Sequence, residues 1–154
     1  MLTTAIAVLG TLLGAVVAGV FQQKNTSRAE GAARAEQLRR DRLEAVTALA
    51  SVGSDHRRAL WMRGEAKLND QPAPQLEGLR LASHVTRSAI TRPLVAVQIL
   101  IPDPAVTDAA KAMVITAYRM RDADTSTEAL TAAREEARAA HDHFVDRAAA
   151  YLTP

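Results

Sequence analysis

The sequence predicts an all-α protein: one N-terminal transmembrane helix that continues into a stalk and a three- or four-helix antiparallel bundle. Three observations predict it. Residues 1–21 carry no charged side chain. The rest of the chain is rich in Ala, Arg and Glu and poor in Gly, which favours helix. Apolar residues recur there at helical spacing, punctuated by short turns containing Pro and Asp.

The first element is the span. At about 1.5 Å per residue, residues 1–21 cover roughly 30 Å, the thickness of a bilayer core. A cleaved signal peptide needs a basic start, and Met1-Leu2-Thr3-Thr4 has none. The boundaries expected are 1–23 for the transmembrane helix and 24–154 for a cytoplasmic helical stalk and bundle. Orientation follows from the basic flank Lys24, Arg28, Arg34, Arg39, Arg40 and Arg42, which places the C-terminus in the cytoplasm of a single-pass cell-membrane protein. Residues 24–63 hold an excess of basic side chains, which sets topology and touches anionic lipid at about 1 kcal/mol per basic residue. Within the span, Thr3, Ala7, Gly10, Thr11, Gly14, Ala15 and Ala18 share one half of the wheel, opposite Leu2, Ile6, Leu9, Leu13, Val16 and Val20. Lipid supplies no hydrophobic force between helices, so the small residues Gly10, Gly14 and Ala18 are the face on which two spans approach and self-associate.

The stalk follows from Thr26 to Leu68, with Leu38, Val46, Leu49, Gly53 and Leu60 on one face and Gly31, Gly53 and Gly64 as weak points. Asn69 to Pro74 is a turn. Leu76, Leu79, Ser83, Thr86, Ile90, Leu94, Val97 and Ile101 form the next stripe, with a kink or a break and restart expected near Thr91 because Pro93 removes a backbone bond. Leu94 to Ile101 alone would suit a strand, but no partner strand exists to pair its backbone. Asp103 is the expected N-cap, with Pro104 at the first helical position. Val106, Ala109, Met113, Ala117 and Met120 form one face. After a loop at residues 122–126, Thr125-x-x-Glu128 has the form of a capping box. The last helix carries Leu130, Ala133, Ala137, Ala140, Phe144, Ala148 and Tyr151 on one side, with Glu135, Asp142 and Asp146 opposite.

Composition narrows the chemistry. The 154 residues bound one domain, and 48% hydrophobic content excludes wholesale disorder. With no cysteine there are no disulfides, thiol catalysts or thiolate metal sites. Aromatics make up 3% of the chain, too few for an aromatic-lined ligand pocket or a base-stacking surface. His56, His84, His141 and His143 show no metal-ligand spacing, since an i, i+2 pair does not share one ion on a helix. No nucleophile elbow, phosphate-binding glycine loop or dinucleotide fingerprint occurs. The expectations are therefore no catalytic residue, no metal and no cofactor, hence not an enzyme. The other reading of the basic stretch 24–63 is weak contact with DNA phosphates, but topology and lipid explain its placement without extra assumptions, so direct nucleic-acid binding is not expected.

One stretch stands out: Ser54-Asp55-His56-Arg57-Arg58-Ala59-Leu60-Trp61 sets the single Trp beside a basic cluster. Ser83-His84-Val85-Thr86-Arg87-Ser88-Ala89-Ile90-Thr91 is unusually polar for a helix interior. Asp55, Arg57, Arg58, Trp61 and Arg87 make a candidate partner or packing surface, with Trp61 an anchor and Asp55 paired with Arg87 across a helix interface. With the span and the Ala/Arg stalk, these stretches resemble the small KilB-type membrane-anchored helical proteins of actinobacterial, mainly Streptomyces, conjugative plasmids and integrated elements. The resemblance implies a part in plasmid transfer or spread and brings no active-site pattern with it. Sixteen Arg against three Lys, with abundant Ala, fit a GC-rich genome.

The reading is a non-enzymatic, membrane-anchored interaction protein, accessory to plasmid transfer or spread. Its partners would be membrane lipid, further copies of itself as a homo-oligomer, and an unidentified protein. The alternative is a membrane-anchored binding or sensor module with a small ligand between its helices.

Overall fold

Among the described residues four α-helices follow one another: α1 Leu2–Leu68, α2 Ala73–Leu100, α3 Pro104–Arg119 and α4 Thr127–Leu152, with one 3-10 turn at Met120–Asp122. The structure, a computed structural model, describes the backbone of residues 2–153 and the side chains of residues 29–153. Among the described residues there is no strand, and Leu94 to Ile101 is helical up to Leu100. No described helix is long and apolar enough to cross a membrane. The span expected over residues 1–23, with Gly10, Gly14 and Ala18, lies outside the described side chains.

The chain divides into two units, residues 1–39 and 40–154. In the first, every described side chain is exposed, and Arg34 pairs with Glu30 at 3.4 Å. Leu38, expected on the apolar face, is 39% exposed. Among the described residues this unit is a single helical segment.

In the second unit, residues 40–68 of α1 present Val46, Leu49, Gly53, His56, Leu60 and Gly64 to the core at spacings of three and four. Leu49, Ile90, Val97, Ile101, Val106, Met113 and Phe144 are buried in one cluster, and Leu60, Met120 and Ala137 in a second. Fully burying an aliphatic or Phe side chain is worth about 1.5–3 kcal/mol, so these positions carry the fold. The stripe Val106, Ala109, Met113, Ala117 and Met120 is buried throughout, as its period predicts.

The helix ends show why the chain turns where it does. At the end of α1, Asp70 adopts φ 50°. The Gln71 N–H donates to the Ala66 carbonyl at 3.0 Å and the Asp70 N–H to the Lys67 carbonyl at 3.2 Å, the paired bonds of a Schellman motif. α2 has no basic residue in its last turn; instead Arg42 of α1 donates from Nε to the Leu100 carbonyl at 2.8 Å and lies 5.5 Å from the Tyr151 ring centroid. Asp103 caps α3 by accepting from the Ala105 N–H at 2.7 Å, with Pro104 at the first position. The α4 cap is Ser126, which accepts from the Ala129 N–H at 3.1 Å, one residue beyond the Thr125 of the expected capping box. α2 runs unbroken through Pro93. Ile90 and Val97, fully buried on either side of the proline, hold the helical register across the missing bond.

Two glycines separate close approach from open surface. A Cβ at Gly78 would meet nothing within 4 Å, whereas one at Gly64 would lie 2.8 Å from Leu130 Cδ2, in a side chain that is itself buried. Gly78→Ala should therefore stabilise the protein by up to about 1 kcal/mol through helix propensity. Gly64→Ala should forfeit that gain and destabilise by about 1 kcal/mol or more through overpacking. Urea unfolding of both variants measures this, and equal stabilisation by both would contradict the close approach at Gly64.

Candidate functional site

His56 is the polar centre of the bundle. It lies at the boundary of the two apolar clusters on α1 and is 2% exposed. Thr86 on α2 has one hydroxyl proton, which it gives to the Ser83 carbonyl at 3.1 Å. Its oxygen therefore accepts from His56 Nδ1 at 2.9 Å, which assigns the proton of the neutral imidazole to Nδ1. The Tyr118 ring of α3 meets the imidazole edge-on, with centroids 5.4 Å apart and planes at 86°. Burial, reinforced by the nearby Arg87 charge, pushes the His56 pKa from 6.5 down to about 4. One neutral ring thus ties α1, α2 and α3 together.

Around it, α1 presents two surfaces. Towards α4, Trp61 lies under Arg134, whose guanidinium carbon is 4.4 Å from the ring centroid. Arg57 donates from Nη2 to the Ser54 hydroxyl at 2.9 Å. Burial disfavours the Arg57 charge, Asp142 supports it, and Arg134 and Arg138 oppose it. Asp55, Arg57, Arg58, Trp61, Glu65 and Arg134 line an open groove of about 590 Å³, which mixes two carboxylates with three guanidinium groups. Further along the α1–α4 contact, His141 Nε2 donates to the Ala50 carbonyl at 3.2 Å. Towards α2 and α3, Arg87 stacks on Tyr118 at 4.5 Å from the ring centroid.

The five residues singled out from the sequence are therefore divided. Asp55, Arg57, Arg58 and Trp61 share the groove against α4, while Arg87 sits across the helix beside His56. The expected Asp55–Arg87 pair is not formed: Asp55 and His56 are neighbours about 100° apart on α1, so only one of them faces α2. The sequence reading missed Arg134, Tyr118 and the central place of His56. The signal for His56 was its position on the buried spacing Leu49, Gly53, His56, Leu60. Arg134 and Tyr118 meet α1 only in three dimensions, and no spacing reveals them. No group of three His, Asp or Glu among the described residues is placed to hold a metal.

Residues 43–152, nearly the whole of the second unit, match the family of the KilB plasmid transfer protein. The chain belongs to the KilB family. A curated relative, Protein KilB of Streptomyces lividans, is 44% identical over 149 residues, covering 97% of each chain. No solved structure matches. The KilB-family segment begins within α1 just after Arg42 and ends at the last residue of α4, so it holds His56 and all of its contacts.

The lowered His56 pKa has a measurable consequence. Between its folded value of about 4 and its unfolded value of 6.5, the unfolded chain binds more protons, so this residue's contribution is complete above pH 6.5 and is lost as pH falls towards 4. Over that window the wild type should lose about 1–3 kcal/mol more than His56→Gln. Chemical denaturation at a series of pH values gives the difference, and parallel stability curves for the two proteins would contradict the buried neutral ring.

Proposed function

We propose that this KilB-family chain is a non-enzymatic, membrane-anchored interaction protein that serves plasmid transfer or spread. The uncharged residues 1–21 and the basic flank after them support anchoring with the C-terminus in the cytoplasm. In this reading the small face at Gly10, Gly14 and Ala18 brings spans together, and the helical bundle recruits a protein of the transfer machinery.

The observation that carries the reading is the outer face of α2. Leu81, Val85, Val95 and Ile99 are 54%, 70%, 45% and 75% exposed. At 100° per residue they fall within about 80° of one another, on the side of the helix opposite the buried Ser83, Ile90 and Val97. A helix that seats one apolar stripe in its own core and offers a second to solvent has the surface of a protein-binding element. An enzyme would instead concentrate converging polar groups in a cleft.

Two measurements on the full-length protein test this. A C-terminal reporter fusion should partition with the membrane and report a cytoplasmic C-terminus. Val85→Glu/Ile99→Glu should leave helix content and membrane partitioning unchanged while lowering plasmid transfer frequency at least several-fold. A fusion found in the soluble fraction would overturn anchoring, and full transfer by the double variant would overturn the role of α2.

A further inference from the structure

We propose that Arg63, Arg87 and Arg121 form a binding site for a small phosphate-type oxyanion where α1, α2 and the 3-10 turn meet. The three side chains come from three different elements and line one cavity of about 30 Å³, together with His56, His84 and Tyr118. No carboxylate lines it.

That lining differs from those of the two larger grooves, where carboxylates sit with the arginines: Asp55 and Glu65 with Arg57, Arg58 and Arg134 against α4, and Asp41 and Glu44 with Arg92 between α1 and α2. Among the described residues neither Arg63 nor Arg87 forms an ion pair. Arg121 bonds from Nε to the adjacent Asp122 at 3.0 Å, which leaves its terminal nitrogens for the cavity, and Asp122 is not part of the lining. Arg87 is held in place by its stack on Tyr118. Three guanidinium groups lining one cavity with no carboxylate favour an anion there, and their planar donor forks match the oxygens of a phosphate.

The floor of the cavity sets the ligand's charge and size. His56 is buried and its Nδ1 proton is committed to Thr86, so it adds shape and no charge. The volume is that of one or two waters, so the oxyanion sits at the mouth, with anything attached to it pointing into solvent. The shared chemistry is a terminal phosphate, which inorganic phosphate or the headgroup of a phosphate-bearing lipid would supply.

The test is thermal unfolding of the full-length protein in detergent, with inorganic phosphate replacing chloride at constant ionic strength. Phosphate at about 10 mM should raise the wild-type midpoint by roughly 2–4 °C. Arg63→Gln/Arg87→Gln should abolish the rise. The exposed Arg121→Gln should reduce it without disturbing the fold, and Arg147→Gln, on the exposed surface of α4, should leave it intact. Glycerol 3-phosphate distinguishes the sources: a larger rise than with phosphate points to a lipid headgroup, and an equal or smaller one to free phosphate. No rise in the wild type, or the same rise in the double variant and in Arg121→Gln, would overturn the site.

Discussion

The second unit of this protein depends on a neutral histidine buried where three helices meet. His56 gives one proton to Thr86 of α2 and one ring edge to Tyr118 of α3. Burying a polar ring is costly unless it is bonded, so these contacts admit only one rotation of α1 against its neighbours. Apolar packing alone is less demanding, because the faces of α1 and α3 are built largely from Ala, Val, Leu and Met and tolerate sliding. Gly53 and Gly64, three residues before and eight after His56, let Met113 and Leu130 approach the α1 backbone. At the far end, Arg42 closes the exposed carbonyl end of α2 and reaches Tyr151 of α4.

That rotation also distributes the basic residues of α1. Arg57 and Arg58 turn with Trp61 towards α4, where Asp55, Glu65 and Asp142 balance them. Arg63 lies one heptad beyond His56 and turns with it towards Arg87 and Arg121. A run that reads in one dimension as a single basic cluster is therefore two surfaces of different character. The first is a balanced groove beside an aromatic anchor. The second has excess positive charge around a neutral floor. The apolar outer face of α2 is a third surface of this KilB-family chain.

Much of the fold was legible because it rests on short-range chemistry. The period of Val106, Ala109, Met113, Ala117 and Met120, the cap at Asp103 and the turn after Leu68 are local. α2 was only half legible. Its buried stripe through Ile90 and Val97 stood out, but Leu81, Val85, Val95 and Ile99 repeat at the same period on the opposite side, and a sequence alone does not say which stripe is covered. Pro93 was read as a kink, or a break and restart, because the lost bond is local, whereas α2 is one helix through it, packed by other helices at Ile90 and Val97. The α4 cap was displaced by one residue because Thr125 and Ser126 offer equivalent hydroxyls. The candidate site was least legible. Asp55 and His56 are adjacent, and a rotation of one position exchanges the groove against α4 for the junction with α2 and α3. The partners that settle the matter, Tyr118 and Arg134, are 62 and 73 residues along the chain from His56 and Trp61.

The central claim is that His56 is neutral, carries its proton on Nδ1 and donates it to Thr86. Nitrogen-15 correlation spectra of the histidine side chains, recorded through a pH titration, measure tautomer and pKa together. The account predicts that one of the four imidazoles holds the Nδ1–H form and titrates near pH 4, and that this signal disappears in His56→Gln. A His56 signal that titrates near 6.5, or that carries its proton on Nε2 at neutral pH, would contradict it.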